Sequence, residues 1–214
     1  FQAEDGIRDL VRSRGLGDVY KRHVVTRIRL PRIIAAMLVG ACLSIAGASF
    51  QGLFRNPLVS PDILGVSSGA GFGAALGILL SGNGAVIQIS AFCFALLAVI
   101  ISYIISRKVK SNPTLSLILA GMAIGSLFSA LLSLVKYVAD PVDQLPAITY
   151  WLMGSFSAVS TGDIFITAIP MLAGIIVLVL IRWRLNVLAM GEEEAKSLGI
   201  NLSLIHISEP TRPY

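Results

Sequence analysis

Charge is scarce in this chain. Asp, Glu, Lys and Arg supply 14% of its 214 residues, against about 25% in an ordinary soluble domain. That deficit argues against a water-soluble fold and against intrinsic disorder. Cysteine is nearly missing too. Cys42 and Cys93 both lie in apolar runs and form neither a CxxC nor a Cys/His spacing, which argues against a disulfide or metal framework. The two histidines, His23 and His206, stand near the ends of the chain, and no catalytic constellation forms around them. No G-x-x-x-x-G-K-[ST] loop occurs, so the chain cannot hydrolyse ATP by the P-loop route. No charge sits at the centre of an apolar run, where an ion-coupled carrier would need its relay. The net charge is +5, but the basic residues cluster between apolar runs. That is a membrane pattern rather than a nucleic-acid-binding face.

What is present is apolar: 55% of residues are hydrophobic and the mean hydropathy is +0.81. A membrane-spanning helix takes ~20 apolar residues, each adding ~1.5 Å across a ~30 Å hydrocarbon core. Ile33–Phe54 carries no charge over 22 residues and reads as one span. Ile63–Ser106 carries none over 44 residues. It breaks into two spans at Ser81-Gly82-Asn83-Gly84. Ser111–Val135 is a fourth span and Ile164–Ile181 a fifth, with Pro170 as a tolerated kink. Tyr150–Ser160 is apolar but short and reads as an interfacial or re-entrant helix.

The ends differ from the middle. Phe1–Arg22 holds nine charges in 22 residues, and Ser203–Tyr214 shows no period. Codons for Asp18-Val19-Tyr20-Lys21-Arg22, read on the opposite strand, encode Ser203-Leu204-Ile205-His206-Ile207. The pairing continues through Val11 with Tyr214, twelve pairs in all, and stops at His23 with Leu202. An inverted DNA repeat is therefore expected to flank residues 23–202, and both ends resemble a translated transposase adaptor from library preparation. Residues 1–22 and 203–214 are expected to be artefactual and carry no weight in the fold reading. Residues 23–202 are expected to form the membrane domain.

Small residues recur at helical spacing. Gly65, Gly69, Gly73 and Gly77 stand four apart, and Gly121, Gly125, Ser129 and Ser133 repeat the device. Such stripes let helix backbones approach closely; they indicate a tightly packed bundle rather than a substrate site. Alternating spans place Arg55, Arg107, Lys108, Lys110, Arg182, Arg184 and Lys196 on one side and Arg27, Arg29, Arg32 and Lys136 on the other. The richer side is expected to be cytoplasmic, leaving the Arg27–Arg32 cluster as an exception.

One ordered set of motifs is specific. Arg29-Leu30-Pro31-Arg32 precedes Gly40, Gly47, Gln51, Asn56-Pro57-Leu58, Pro61, Leu64-Gly65 and Ser68-Gly69-Ala70. Leu119-Ala120-Gly121, Tyr150-Trp151-Leu152-Met153-Gly154 and Gly191-Glu192-Glu193-Glu194-Ala195-Lys196-Ser197-Leu198-Gly199 follow in order. From Arg29 to Asn201 the chain resembles the FecCD family, the permease subunits of ABC importers for iron-siderophore, haem and cobalamin uptake. The resemblance implies an all-α, polytopic transmembrane helical bundle. About five spans of a ten-span permease would be present, with a short outward-side helix and the start of a cytoplasmic coupling helix. It also implies a non-enzymatic chain in the bacterial plasma (inner) membrane. No cofactor would bind here, ATP and Mg being held by a partner subunit. The partners implied are that ATP-binding subunit, a second permease subunit (identical or not), an extracytoplasmic substrate-binding protein and the lipid bilayer, with no nucleic acid. Ferric siderophore is the expected cargo, with haem and cobalamin as alternatives.

Residue roles follow from the same resemblance. Gly191, Glu192, Glu193, Glu194, Ala195, Leu198 and Gly199 would begin the element that seats on the ATPase. Locally, three glutamates suit a helix N-terminus and Gly199 a left-handed cap, which a plain solvated loop helix would also explain. Asn56, Pro57 and Leu58, with Thr114 and Leu115, would form a cytoplasmic gate, a narrow ring that seals without holding cargo tightly. The prolines alone require only an extended connector. Arg29 and Arg32 would face outward and pair with carboxylates of the binding protein; interfacial snorkelling is the alternative. Tyr150–Gly154 would belong to the outward-side helix. Two rival classes stay open, an ion-coupled secondary carrier and a non-transporting membrane scaffold. The first has no use for the acidic Gly191–Gly199 element, and the second leaves the outward arginines unexplained.

Overall fold

A computed structural model describes residues 24–109, 113–157 and 159–190. These form six α-helices with no strand among them. A π-helical turn, Val25–Arg29, runs into α1, Leu30–Phe54. The helix stops where Pro57 disfavours helical geometry at Asn56. A 3-10 turn, Pro61–Leu64, then leads through Gly65 into α2, Val66–Leu80. The Ser81–Asn83 break separates α2 from α3, Gly84–Lys108. Asn83 caps α3, its side-chain oxygen accepting from the Ala85 N–H at 3.0 Å, as short polar residues at helix starts do. Helix α4, Pro113–Val138, opens on a proline, which lacks only an N–H that would have no partner there. Helix α5 is Gln144–Met153 and α6 is Thr161–Met190, with Pro170 inside it.

Among the described residues, four helical stretches are long and apolar enough to cross a membrane: Val25–Phe54, Gly84–Lys108, Thr114–Val138 and Thr161–Met190. Two expectations need correcting. The span expected from Ile63 to the Ser81 break is a helix of only 15 residues, about 22 Å long. The 3-10 turn and Gly65 take up the rest of that apolar run. The short helix expected at Tyr150–Ser160 instead occupies Gln144–Met153. Pro146 falls in its first turn, where a proline costs no hydrogen bond, so the helix begins ahead of it.

The described residues fall into two compact units. The larger takes them from Ala46–Ser155 and Ile181–Tyr214. Its core has two apolar clusters. Ala75, Ile78, Val135, Ala139 and Ile148 form one; Ala98, Ile124 and Phe128 form the other. Phe72 packs against both. It meets Phe94 edge-on at 5.0 Å between ring centroids and Phe128 at 5.7 Å, separations typical of favourable aromatic pairs. The smaller unit takes the described residues of Phe1–Ile45 and Phe156–Leu180. Within it Ser160 and Asp163 form a capping box at the start of α6. The Asp163 carboxylate accepts from the Ser160 N–H at 3.0 Å, and the Ser160 hydroxyl accepts from the Asp163 N–H at 3.3 Å.

Candidate functional site

The Asn56-Pro57-Leu58 segment is a built turn rather than a slack connector. The Asn56 side-chain oxygen accepts from the Leu58 N–H at 2.9 Å, closing an Asx turn. The Asn56 N–H donates back to the Gln51 carbonyl at 3.2 Å. The Gln51 amide donates to the Pro57 carbonyl at 2.9 Å, so the last turn of α1 holds both sides of the loop. Leu58 projects outward, 87% exposed, while its neighbour Val59 is buried. A fixed turn presenting one bare apolar side chain can close a narrow passage without a polar grip on what passes. Thr114 and Leu115 lie in the first turn of α4, with Leu115 exposed.

Arg55 adjoins this turn, and sequence reading treats it only as one of the cytoplasmic charges. It has φ 48°, the only non-glycine residue at positive φ among those described. Its Nε and Nη2 both donate to the Leu188 carbonyl, at 3.3 and 3.0 Å. Leu188 lies in the last turn of α6, where carbonyls have no partner within the helix. Gly52 sits opposite: a Cβ built there would lie 3.8 Å from the Ala189 Cβ. The left-handed conformation costs ~1–2 kcal/mol, and a surface cation at a helix C-terminus contributes ~0.3–1 kcal/mol. The contact brings no net gain in stability. What Arg55 adds is therefore geometry: one side chain joins the end of α1 to the end of α6. No local motif announces this bond, because its partner is a backbone carbonyl 133 residues away.

The glycines mark close helix crossings. A Cβ on Gly69 would meet the Phe94 carbonyl oxygen at 2.7 Å, one on Gly73 the Ser90 carbonyl oxygen at 2.5 Å, and one on Gly77 the Ile87 Cα at 2.9 Å. These three face α3. The Ser90 hydroxyl crosses the same contact to the Gly73 carbonyl at 2.6 Å, a polar link of the kind that holds helices together in lipid. Gly65 does not belong to that helical stripe, contrary to its spacing. It precedes α2 at φ 78°, where a Cβ would crowd the Gly125 nitrogen at 3.0 Å. Gly121 faces the same turn, and a Cβ there would overlap the Ile63 carbonyl oxygen. A Cβ on Gly125 would lie 3.5 Å from the Gly65 Cα. Gly71, outside both stripes, faces the Leu152 side chain of α5, with 3.0 Å left for a Cβ. The Ser102 hydroxyl, fully buried, donates to the Leu64 carbonyl at 3.2 Å and anchors the 3-10 turn to α3.

Of the two arginines expected to dock a partner, Arg29 is exposed in the π-helical turn. Arg32 is exposed one turn further on and donates from Nη2 to the Ser157 carbonyl at 2.6 Å. Between α4 and α5, the Asp140 carboxylate accepts from the Val142 and Asp143 N–H groups at 2.8 and 3.0 Å. The Asp143 bond first and the Val142 bond second hold its pKa below the ordinary carboxylate value. In α5, Ile148 is buried while Tyr150, Trp151 and Met153 are exposed. The Gly191–Gly199 element, with Glu192, Glu193, Glu194, Ala195 and Leu198, lies outside the described residues. So do His23 and Lys110.

Comparison with known proteins accords with this geometry. A model of the FecCD transport family matches residues 2–208. The chain is 40% identical over 188 residues to the molybdate import system permease protein MolB of Haemophilus influenzae, covering 87% of this chain and 55% of that protein. It is 42% identical over 182 residues to the "Probable iron chelatin transport system permease protein" of Helicobacter pylori, covering 85% and 55%. It is 41% identical over 182 residues to the vitamin B12 import system permease protein BtuC of Escherichia coli, covering 83% and 54%. A solved structure of a protein assigned as a metal-chelate type ABC transporter, in an inward-facing conformation, superposes with a TM-score of 0.79. The identity is 39%, with 87% of this chain and 59% of that one covered. The chain thus spans about half the length of the curated relatives it matches.

Proposed function

The chain belongs to the FecCD transport family, and from that premise we propose that it is a large part of the permease subunit of a binding-protein-dependent ABC importer. The observation that carries this reading is the shared architecture: span-length helices together with a glycine-lined short helix, alike in fold to a metal-chelate type transporter over 87% of the chain. The relatives named above are permeases, not enzymes, and the chain is an integral membrane protein rather than a catalyst. Its proposed place is the bacterial plasma membrane. The proposed partners are an ATP-binding subunit that holds ATP and Mg, a second permease subunit, and an extracytoplasmic binding protein.

In this reading the pathway opens alternately to each side, and the cargo passes between facing permease subunits. Arg29 and Arg32 receive carboxylates of the loaded binding protein. The Asn56-Pro57-Leu58 turn, with Thr114 and Leu115, closes the cytoplasmic mouth. ATP-driven closure of the nucleotide subunits pushes on Glu192–Glu194 and moves the attached spans. The proposed cargo is a ferric siderophore, which the iron chelatin relative supports. Haem, cobalamin and, from the MolB relative, molybdate are the rivals. Residues 1–22 and 203–214 are proposed to be adaptor-derived; the uninterrupted gene would encode different residues at both places.

The test uses that full-length gene, expressed with the ATP-binding and binding-protein genes beside it and reconstituted in proteoliposomes. ATP-dependent accumulation of ferric siderophore is expected, and it should vanish when Glu192, Glu193 and Glu194 become Lys. The same triple change should release the ATP-binding subunit in pull-downs. Uptake of cobalamin or molybdate alone would replace only the cargo. ATP-dependent uptake of none of the tested cargoes would overturn the importer reading.

A further inference from the structure

Arg55 touches two pieces of the molecule to which separate roles are proposed above. Through the backbone it is continuous with Asn56-Pro57-Leu58. Through its guanidinium it holds the Leu188 carbonyl, three residues before Gly191 opens the acidic segment. The link is short and stiff. Gln51 and Asn56 fix the turn against α1, and a side chain begun at Gly52 would come within van der Waals reach of Ala189. Arg55 adopts a left-handed backbone although it carries a long side chain. That conformation is kept only where the surroundings over-determine it, which makes it a pointer to function rather than to stability.

We infer that Arg55 is a positioning residue that clips the end of α6 to the Asn56-Pro57-Leu58 turn, so that displacement of the acidic segment moves the turn. The inference rests on the importer reading for what pushes and what opens. Without the clip, the end of α6 would move while the turn stayed behind. Nucleotide hydrolysis and cargo movement would then come apart. A guanidinium suits the task better than an ammonium, because its rigid fork places two donors on one carbonyl.

The experiment uses the full-length transporter with its ATP-binding subunit in proteoliposomes, with native cysteines replaced. Cargo taken up per ATP hydrolysed is the readout, since a merely structural role would lower both rates together. Arg55→Ala should lower this ratio about tenfold, within the usual span of coupling between sites, and Arg55→Lys should fall between it and the parent. The second arm adds Gly52→Cys and Ala189→Cys. Their Cβ separation of 3.8 Å suits a disulfide. Oxidising this pair in the Arg55→Ala background should restore the ratio, because a covalent bond then replaces the guanidinium. An unchanged ratio in Arg55→Ala, or a loss that the crosslink leaves in place, would overturn the inference. If Arg55→Ala fails to reach the membrane, Arg55→Lys decides, and an unchanged ratio there overturns it. Failure of the parent transporter to take up any cargo would sink the importer reading instead, which keeps the two failures apart.

Discussion

At the scale of single residues, the missing methyl groups matter most. Gly121 faces the Ile63 carbonyl and the Leu64 Cα, and neither can swing aside as a side chain can. Gly121→Ala should therefore destabilise the larger unit by about 1–3 kcal/mol, the usual range for overpacking a tight contact. Gly84→Ala, at the first position of α3 with nothing within 4 Å, should be neutral or stabilising by up to ~1 kcal/mol. Thermal unfolding of the two variants in detergent checks the contrast. Equal midpoints would mean that the crossing of α4 over the 3-10 turn is looser than these distances. Spacing identifies most of these glycines, but it cannot tell Gly65 from its neighbours. Gly65 serves a backbone turn and Gly69 a helix face, and only the backbone conformation separates the two.

At the scale of elements, α2 is too short to span the ~30 Å hydrocarbon core. It need not face lipid. Gly69, Gly73, Ala74, Ala75 and Gly77 are all buried against neighbouring helices, and irregular backbone at membrane depth is tolerated where protein surrounds it. The turn between α4 and α5 gives an element-level prediction. Two backbone N–H groups stabilise the Asp140 carboxylate and hold its pKa below the ordinary 3.8. Because the native pKa is depressed, the bonds contribute above the ordinary carboxylate pKa and are lost as pH falls through the depressed one. The Val142 and Asp143 amide signals should accordingly titrate together in NMR, with a midpoint below 3.8. A midpoint at or above that value would mean that the Asx turn does not form.

At the scale of the whole molecule, the proposed sidedness and partners make two predictions. A membrane-impermeant maleimide should label cysteines placed at Asn83 and Asp140 in intact cells, and cysteines at Leu58 and Lys108 only after permeabilisation. The reverse pattern would invert the proposed topology and move Arg29 and Arg32 to the wrong side. Charge reversal of both arginines should weaken capture of the loaded binding protein by about tenfold at low salt, each exposed pair contributing ~0.2–1 kcal/mol. Added salt should shrink the difference. Equal affinity of parent and variant at low salt would remove both arginines from the interface.

That the chain is a bundle of membrane helices was legible in its composition alone. Uncharged runs such as Ile33–Phe54 have no stable place in water, and their length is set by the bilayer rather than by neighbouring residues. The family was legible as well, because the Arg29–Arg32, Asn56–Leu58 and Gly191–Gly199 motifs keep their order over most of the chain. The start of α5 at Gln144, the role of Gly71 opposite Leu152 and the bond from Arg55 to Leu188 emerged from the folded chain. Each depends on a partner distant in sequence or on a proline whose effect turns on its place in the helix. Local composition carries no trace of which backbone carbonyl a long side chain will find.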